Sequence, residues 1–124
     1  MHHKRILVVD DEAVIAEELC EFLESFDYPC QLAFSADEAL KIVAEDADIT
    51  LIMTDMRMPG RSGAELIREL QSISNRSFEY VMISGHLDAD QDLAEIKVEH
   101  VTLMRKPINI EEMVEYLENL QFSR

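Results

Sequence analysis

Four short segments of this sequence carry the residue types that chemistry needs: Asp10-Asp11-Glu12, Asp55, Ser84-Gly85 and Arg105-Lys106-Pro107. Each follows directly on an apolar run. Carboxylates within reach of one another cannot all ionise comfortably at neutral pH, and a hard divalent cation relieves that repulsion. Mg²⁺ suits such a set, because it takes oxygen ligands, keeps several waters, and needs only one or two protein carboxylates plus a phosphate oxygen. Lys106 adds a mobile ammonium able to pair with an aspartate or with an anionic ligand oxygen. Ser84 adds one hydroxyl hydrogen bond to that same oxygen. Acids with Mg²⁺, one lysine and one hydroxyl are what phosphoryl transfer requires, since positioning and charge neutralisation carry most of that catalysis. Taken singly, each residue has a plainer role. Asp10, Asp11 and Glu12 suit the positive end of a helix, Lys106 a solvated surface, Ser84 a turn, and Pro59, Gly60 and Gly63 a loop. The functional reading rests on their convergence.

The elements that would make them converge are legible. Apolar runs begin at Ile6-Leu7-Val8-Val9 and recur, more weakly, at Cys30–Phe34, then at Ile49–Thr54, Tyr80–Ile83 and Val101–Met104. Except in the second they hardly alternate with polar residues, as expected of strands buried on both faces of a parallel sheet. Helical stripes lie between them: Ile15, Leu19, Phe22 and Phe26; Ala36, Ala39, Leu40, Val43, Ala44 and Ala47; Leu66, Ile67, Leu70 and Ile73; and Ile110, Met113, Val114, Leu117 and Leu120. Ser35…Glu38, Ser62…Glu65 and Asn109…Glu112 read as capping boxes that start three of these helices. A fourth helical stretch, about residues 87–97, is the least patterned. Five strand–helix units imply right-handed crossovers and an open, doubly wound five-stranded parallel sheet with helices on both faces. In such a sheet ligands bind beyond the carboxyl ends of the strands. All four chemical segments fall there.

Composition narrows the function classes. The 124 residues carry a net charge of −15 with 48% apolar residues. That is one domain able to build an ordinary core, read as residues 1–124 with an ordered core of about 4–121. With no basic face, the domain is not expected to bind nucleic acid itself, nor an anionic membrane surface. No apolar stretch is long enough for a membrane span or a signal peptide, so the expected location is the cytoplasm. Cys20 and Cys30 lack metal-site spacing and are read as two reduced, partly buried thiols, and His2-His3 as a frayed terminus.

With Ile6–Glu12, Thr54-Asp55-Met56-Arg57-Met58-Pro59-Gly60 with Gly63, Met82–His86 and Arg105-Lys106-Pro107 in this order, the sequence resembles the receiver domain of bacterial two-component response regulators, the CheY-like family. The resemblance runs from Lys4 to about Gln121. It implies a flavodoxin-like strand order 2-1-3-4-5, and a phosphoacceptor signalling domain that catalyses only its own phosphorylation and dephosphorylation. By resemblance, Asp55 takes a phosphoryl group from a phosphohistidine of a sensor histidine kinase or phosphotransfer protein. Asp11 and Asp55 bind Mg²⁺ directly, Asp10 through a water, and Arg57 through its main-chain carbonyl. Lys106 contacts the phosphoryl group, Ser84 swings toward it, and Lys106-Pro107 is cis. Arg57 and His86 border the site and tune phosphoryl lifetime. The resemblance further implies output to a partner or attached domain, or homodimerisation, through the face of the fourth helix, fifth strand and fifth helix. Where the family often has an aromatic, three residues before the lysine, this chain has Leu103, which shifts the expected mobile element to residues 87–97. Ala13, Ala16 and Cys20 are candidates for the kinase-docking face. The chain suits either a complete single-domain regulator or the N-terminal part of a longer one.

Three rival readings are weaker. A haloacid-dehalogenase-type phosphatase needs a second acid two residues after its nucleophile, where this chain has Arg57. A flavodoxin-like mononucleotide binder needs a first loop rich in Ser, Thr or Gly, where Asp10-Asp11-Glu12 would repel phosphate. A receiver that docks partners without being phosphorylated would not need the intact set of acids and lysine.

Overall fold

A computed structural model describes residues 4–73, 76–85 and 101–120. The elements are β1 (Arg5–Val9), α1 (Ala13–Ser25), β2 (Cys30–Ala33), α2 (Ala36–Glu45), β3 (Ile49–Asp55), α3 (Gly63–Ile73), β4 (Glu79–Ser84), β5 (Val101–Arg105) and α4 (Ile110–Asn119). The five strands pair in parallel in the order β2-β1-β3-β4-β5. This is an open, doubly wound parallel sheet in the strand order the sequence led us to expect. The helical stretch at about 87–97 and His86 lie outside the described residues, as do His2 and His3.

Successive strand residues serve opposite cores, which is why the strands read as unbroken apolar runs. Leu7, Val9, Ile52, Tyr80 and Met82 pack under α2 and α3 with Ala39, Val43, Leu66, Ile67 and Leu70. Ile6, Val8, Leu51, Met53, Val81 and Ile83 pack under α1 and α4 with Ala16, Leu19, Leu23, Met113 and Leu117. Each fully buried aliphatic side chain contributes about 1.5–3 kcal/mol through area removed from water. The edge strand β2 is only half-buried, which accounts for its faint sequence signal.

Helix starts follow the capping chemistry. The Ser35 hydroxyl accepts from the Glu38 N–H at 3.1 Å, and the Asn109 side chain accepts from the Glu112 N–H at 3.0 Å. Ser62 and Glu65 close a reciprocal box, with the Glu65 N–H donating to Ser62 Oγ at 3.1 Å and the Ser62 N–H to the Glu65 carboxylate at 3.5 Å.

In α1 the buried stripe is not the expected one. Ala16, Leu19, Cys20 and Leu23 face the sheet. Ile15 and Phe22 are only half-buried, and Phe26 is exposed. Apolar residues occupy two adjacent stripes of this helix, and the small Ala16 lets the backbone approach the sheet where Ile15 would hold it off. Phe22 and Phe26 instead meet each other, ring centroids 4.9 Å apart. This also corrects the docking-face reading, since Ala16 and Cys20 are buried and only Ala13 of the three is exposed. Both cysteines are free, as expected.

Candidate functional site

β1 and β3 are neighbours, so the residues at their carboxyl ends come together. Asp10, Asp11 and Asp55 each present a carboxylate oxygen, all within 4.8 Å of one another. Asp10 is 5% and Asp55 8% exposed, whereas Asp11 is open to solvent. From the end of β5, Lys106 reaches across, its Nζ 3.4 Å from Asp55 Oδ1 and 3.7 Å from Asp10 Oδ2. Its own N–H donates to the Ser84 carbonyl at 2.9 Å, which ties the two strand ends together. The Lys106–Pro107 peptide is cis.

Register places the hydroxyl. Asp55 pairs with Ile83 across β3 and β4, so the buried Ser84 stands one residue further toward the same edge. Arg57 follows in the loop, and its N–H donates to the Asp55 carboxylate. Asp10 is positioned differently, accepting from the Glu12 N–H at 2.9 Å in place of a side-chain cap on α1.

The electrostatics suit a cation. Burial raises the Asp55 carboxyl above the ordinary carboxylate range, Lys106 pulls it back, and the Asp10 charge raises it again. One ammonium therefore does not balance the acids. A hard dication would, and three carboxylates from two loops, one solvent-open, match an ion that keeps several waters.

Glycine chemistry was only partly legible. Gly60, at φ +83°, is the turn residue its loop setting implies. Gly63 has a different role at the start of α3. A Cβ there would collide with the Asp55 carbonyl oxygen and lie 2.9 Å from Met82 Sδ, so the helix can press against the back of the acid's own peptide only without one. No local sequence signal separates these two glycines.

Beside Asp10 and Lys106 a groove of about 750 Å³ runs between α1 and α4. Ile15, Phe22, Pro107, Ile108 and Ile110 form much of its wall. Among the described residues, Val14 (67%) and Ile110 (51%) are the most exposed large apolar side chains.

Comparison with known proteins agrees with this geometry. A family model for the response regulator receiver domain matches residues 6–118. The chain is similar to the two-component response regulator PprB of Pseudomonas aeruginosa, 27% identical over 121 residues, covering 96% of this chain and 44% of PprB. It is 32% identical over 120 residues to the transcriptional regulatory protein AruR of the same organism, covering 94% of this chain and 48% of AruR. The chain thus spans about half the length of the curated relatives it matches. A response regulator receiver protein from Pseudomonas putida superposes with a TM-score of 0.85 at 30% identity, covering 96% of this chain and 98% of that one. No helix among the described residues is long and apolar enough to cross a membrane. Sheet order, strand-end acids and family match all fall on the same span, and the chain belongs to the response regulator receiver domain family of two-component systems.

Proposed function

We propose that Asp55 is the phosphoacceptor of a Mg²⁺-dependent transfer from a partner's phosphohistidine, and that the domain catalyses only its own phosphorylation and dephosphorylation. The observation that carries this is the placing of Lys106 Nζ 3.4 Å from Asp55 Oδ1 and 3.7 Å from Asp10 Oδ2, at a cluster where Asp10, Asp11 and Asp55 present carboxylate oxygens within 4.8 Å of one another. An Asp55 oxygen attacks phosphorus, a P–O bond forms, and the P–N bond to the imidazole breaks with its electron pair leaving on nitrogen. Lys106 loses its pairing with the attacking oxygen and gains a phosphoryl oxygen, so its charge stays neutralised throughout. Ser84 donates to a second phosphoryl oxygen from the end of β4, and the Arg57 N–H holds the carboxylate in line.

Asp11 and Asp55 would hold the metal directly, Asp10 through water and Arg57 through its carbonyl; the bound ion supplies charge neutralisation of the phosphoryl oxygens. Phosphorylation then favours the conformer in which Ser84 and Lys106 reach inward. Leu103, half-buried against the core under α2 and α3, carries no polar atom to follow Ser84. Arg57 shields the product from water, and an alanine there shortens its lifetime.

The donor would be a sensor histidine kinase or phosphotransfer protein seated over the groove beside Lys106. A cytoplasmic setting follows from that chemistry. Residues 1–124 would act as one receiver unit signalling to an output domain, an effector or a second copy. The test is incubation with Mg²⁺ and acetyl phosphate or phosphoramidate, read by intact mass. Wild type should gain one phosphoryl group and Asp55→Asn none. An unmodified wild type with both donors, or equal gain by the variant, overturns the proposal.

A further inference from the structure

Among the described residues, the buried polar and charged side chains are Asp10, Thr54, Asp55 and Ser84. Three of them stand at the site. Thr54, with no exposure, lies one residue before it in β3, where a valine would fill the same space with no hydroxyl to strip of water. We propose that the Thr54 hydroxyl is a positioning group for the phosphoacceptor: it fixes the peptide joining Asp55 to Met56, and through that peptide the placing of Asp55 relative to Ser84. The inference rests on the reading of Asp55 as phosphoacceptor.

Three contacts converge on that peptide. Thr54 Oγ1 donates to the Asp55 carbonyl oxygen at 3.0 Å. The Met56 N–H donates to the Ile83 carbonyl at 3.0 Å. The Gly63 backbone lies so close that a Cβ there would fall 2.4 Å from the Asp55 carbonyl oxygen and 3.2 Å from its carbon. The next peptide is held as well, its Met56 carbonyl accepting from the Gly63 N–H at 2.9 Å. A planar peptide turns about the Asp55 Cα through one soft torsion, ψ, and the hydroxyl bond is what sets it from within β3. The last pair of the β3–β4 ladder is Asp55 with Ile83, and the Ile83 carbonyl belongs to the peptide whose nitrogen is that of Ser84. One peptide group therefore bridges the acid to the residue that carries the site's hydroxyl. The Thr54 hydroxyl acts through Asp55, so its role is positioning. In-line attack is sensitive to such placing, since a shift of about 1 Å costs on the order of a hundredfold in rate.

The test sets stability against rate. With phosphoramidate an Asp55 oxygen attacks phosphorus, the P–O bond forms, and the P–N bond breaks with its electron pair on nitrogen, which departs as ammonia. The full chain with Mg²⁺ is followed by intact mass across donor concentrations, and thermal melting is measured in parallel. Thr54→Val keeps the volume and loses the hydroxyl, whereas Thr54→Ser keeps the hydroxyl and leaves a methyl-sized void. The valine variant should melt above the serine variant, yet its maximal rate should fall on the order of tenfold with the half-saturating donor concentration unchanged. The serine variant should melt about 2–6 °C below wild type and keep a maximal rate within about twofold of it. Thr54→Ala, which loses both groups, should be as slow as valine and melt no higher than serine. Rates that rank with the melting temperatures, a valine variant as fast as wild type, or a loss confined to the half-saturating concentration overturns the proposal. An unmodified wild type would instead defeat the phosphoacceptor reading itself.

Discussion

The two faces of the sheet are finished differently. Under α2 and α3 the edges are tied down. Ser35 and Ser62 cap both helices, and Arg61 pairs with Glu69 of α3 and, at 3.7 Å, with Asp37 of α2. Arg76 then reaches back to the carbonyls of Val43, Asp46 and Ile49 at 2.7, 3.1 and 2.7 Å, with its guanidinium 4.8 Å from the centre of the Phe78 ring. Under α1 and α4 there is less closure. α1 has no side-chain cap, Val14 and Ile110 are exposed, and a groove runs down to Lys106. The difference teaches where stability and recognition are kept apart: one face is closed by caps and a far-reaching arginine, and the other leaves apolar surface beside the acids.

The largest test of this contrast compares core truncations. Leu70→Ala, at a position with no exposure, should lose about 2–5 kcal/mol in denaturant unfolding, and Phe22→Ala in the groove wall about 1 kcal/mol. Equal losses would break the comparison. Next is Arg76→Ala, expected to lose about 1–3 kcal/mol by stranding carbonyls that a planar fork had satisfied. Arg76→Lys should recover only part, because a single ammonium cannot span them. Ser35→Ala should lose about 1 kcal/mol, against almost nothing for Glu12→Ala, whose side chain makes no cap bond.

The smallest effect concerns the site itself. Because the folded carboxyl of Asp55 is raised, the folded state binds its proton more tightly than the unfolded chain does. Metal-free stability should therefore fall as pH rises from about 4 through the raised value, relative to Asp55→Asn, which melts slightly higher above that window. Mg²⁺ should reverse the ordering by stabilising wild type more than the variant. Parallel melting curves at every pH would show that the acid is not under electrostatic load.

Much of this was readable beforehand, for physical reasons. Two-sided burial makes runs such as Ile6–Val9 and Ile52–Thr54 unmistakable, and capping requires particular side chains at fixed spacing, so strand ends and helix starts were legible. The acids, Ser84 and Lys106 followed from those ends. The facing of α1 did not, because Ile15 and Ala16 are both apolar and only packing distance chooses between them. Arg76 was equally silent, since its partners are main-chain atoms 27–33 residues away. Gly63 looked like any loop glycine until Asp55 was found against it.

The reach of Arg76 has an evolutionary consequence. All three of its acceptors are peptide carbonyls, which every amino acid supplies. The exposed positions of the turn between α2 and β3 can therefore drift in sequence while its shape is inherited through one distant arginine and through Asp46, whose carboxylate accepts from the Asp48 N–H at 2.9 Å and pairs with Arg5 at 3.2 Å. Variation should be tolerated at Glu45 and Ala47 far more readily than at positions 46 and 76, and libraries randomised at those two exposed positions should retain most of their folded members.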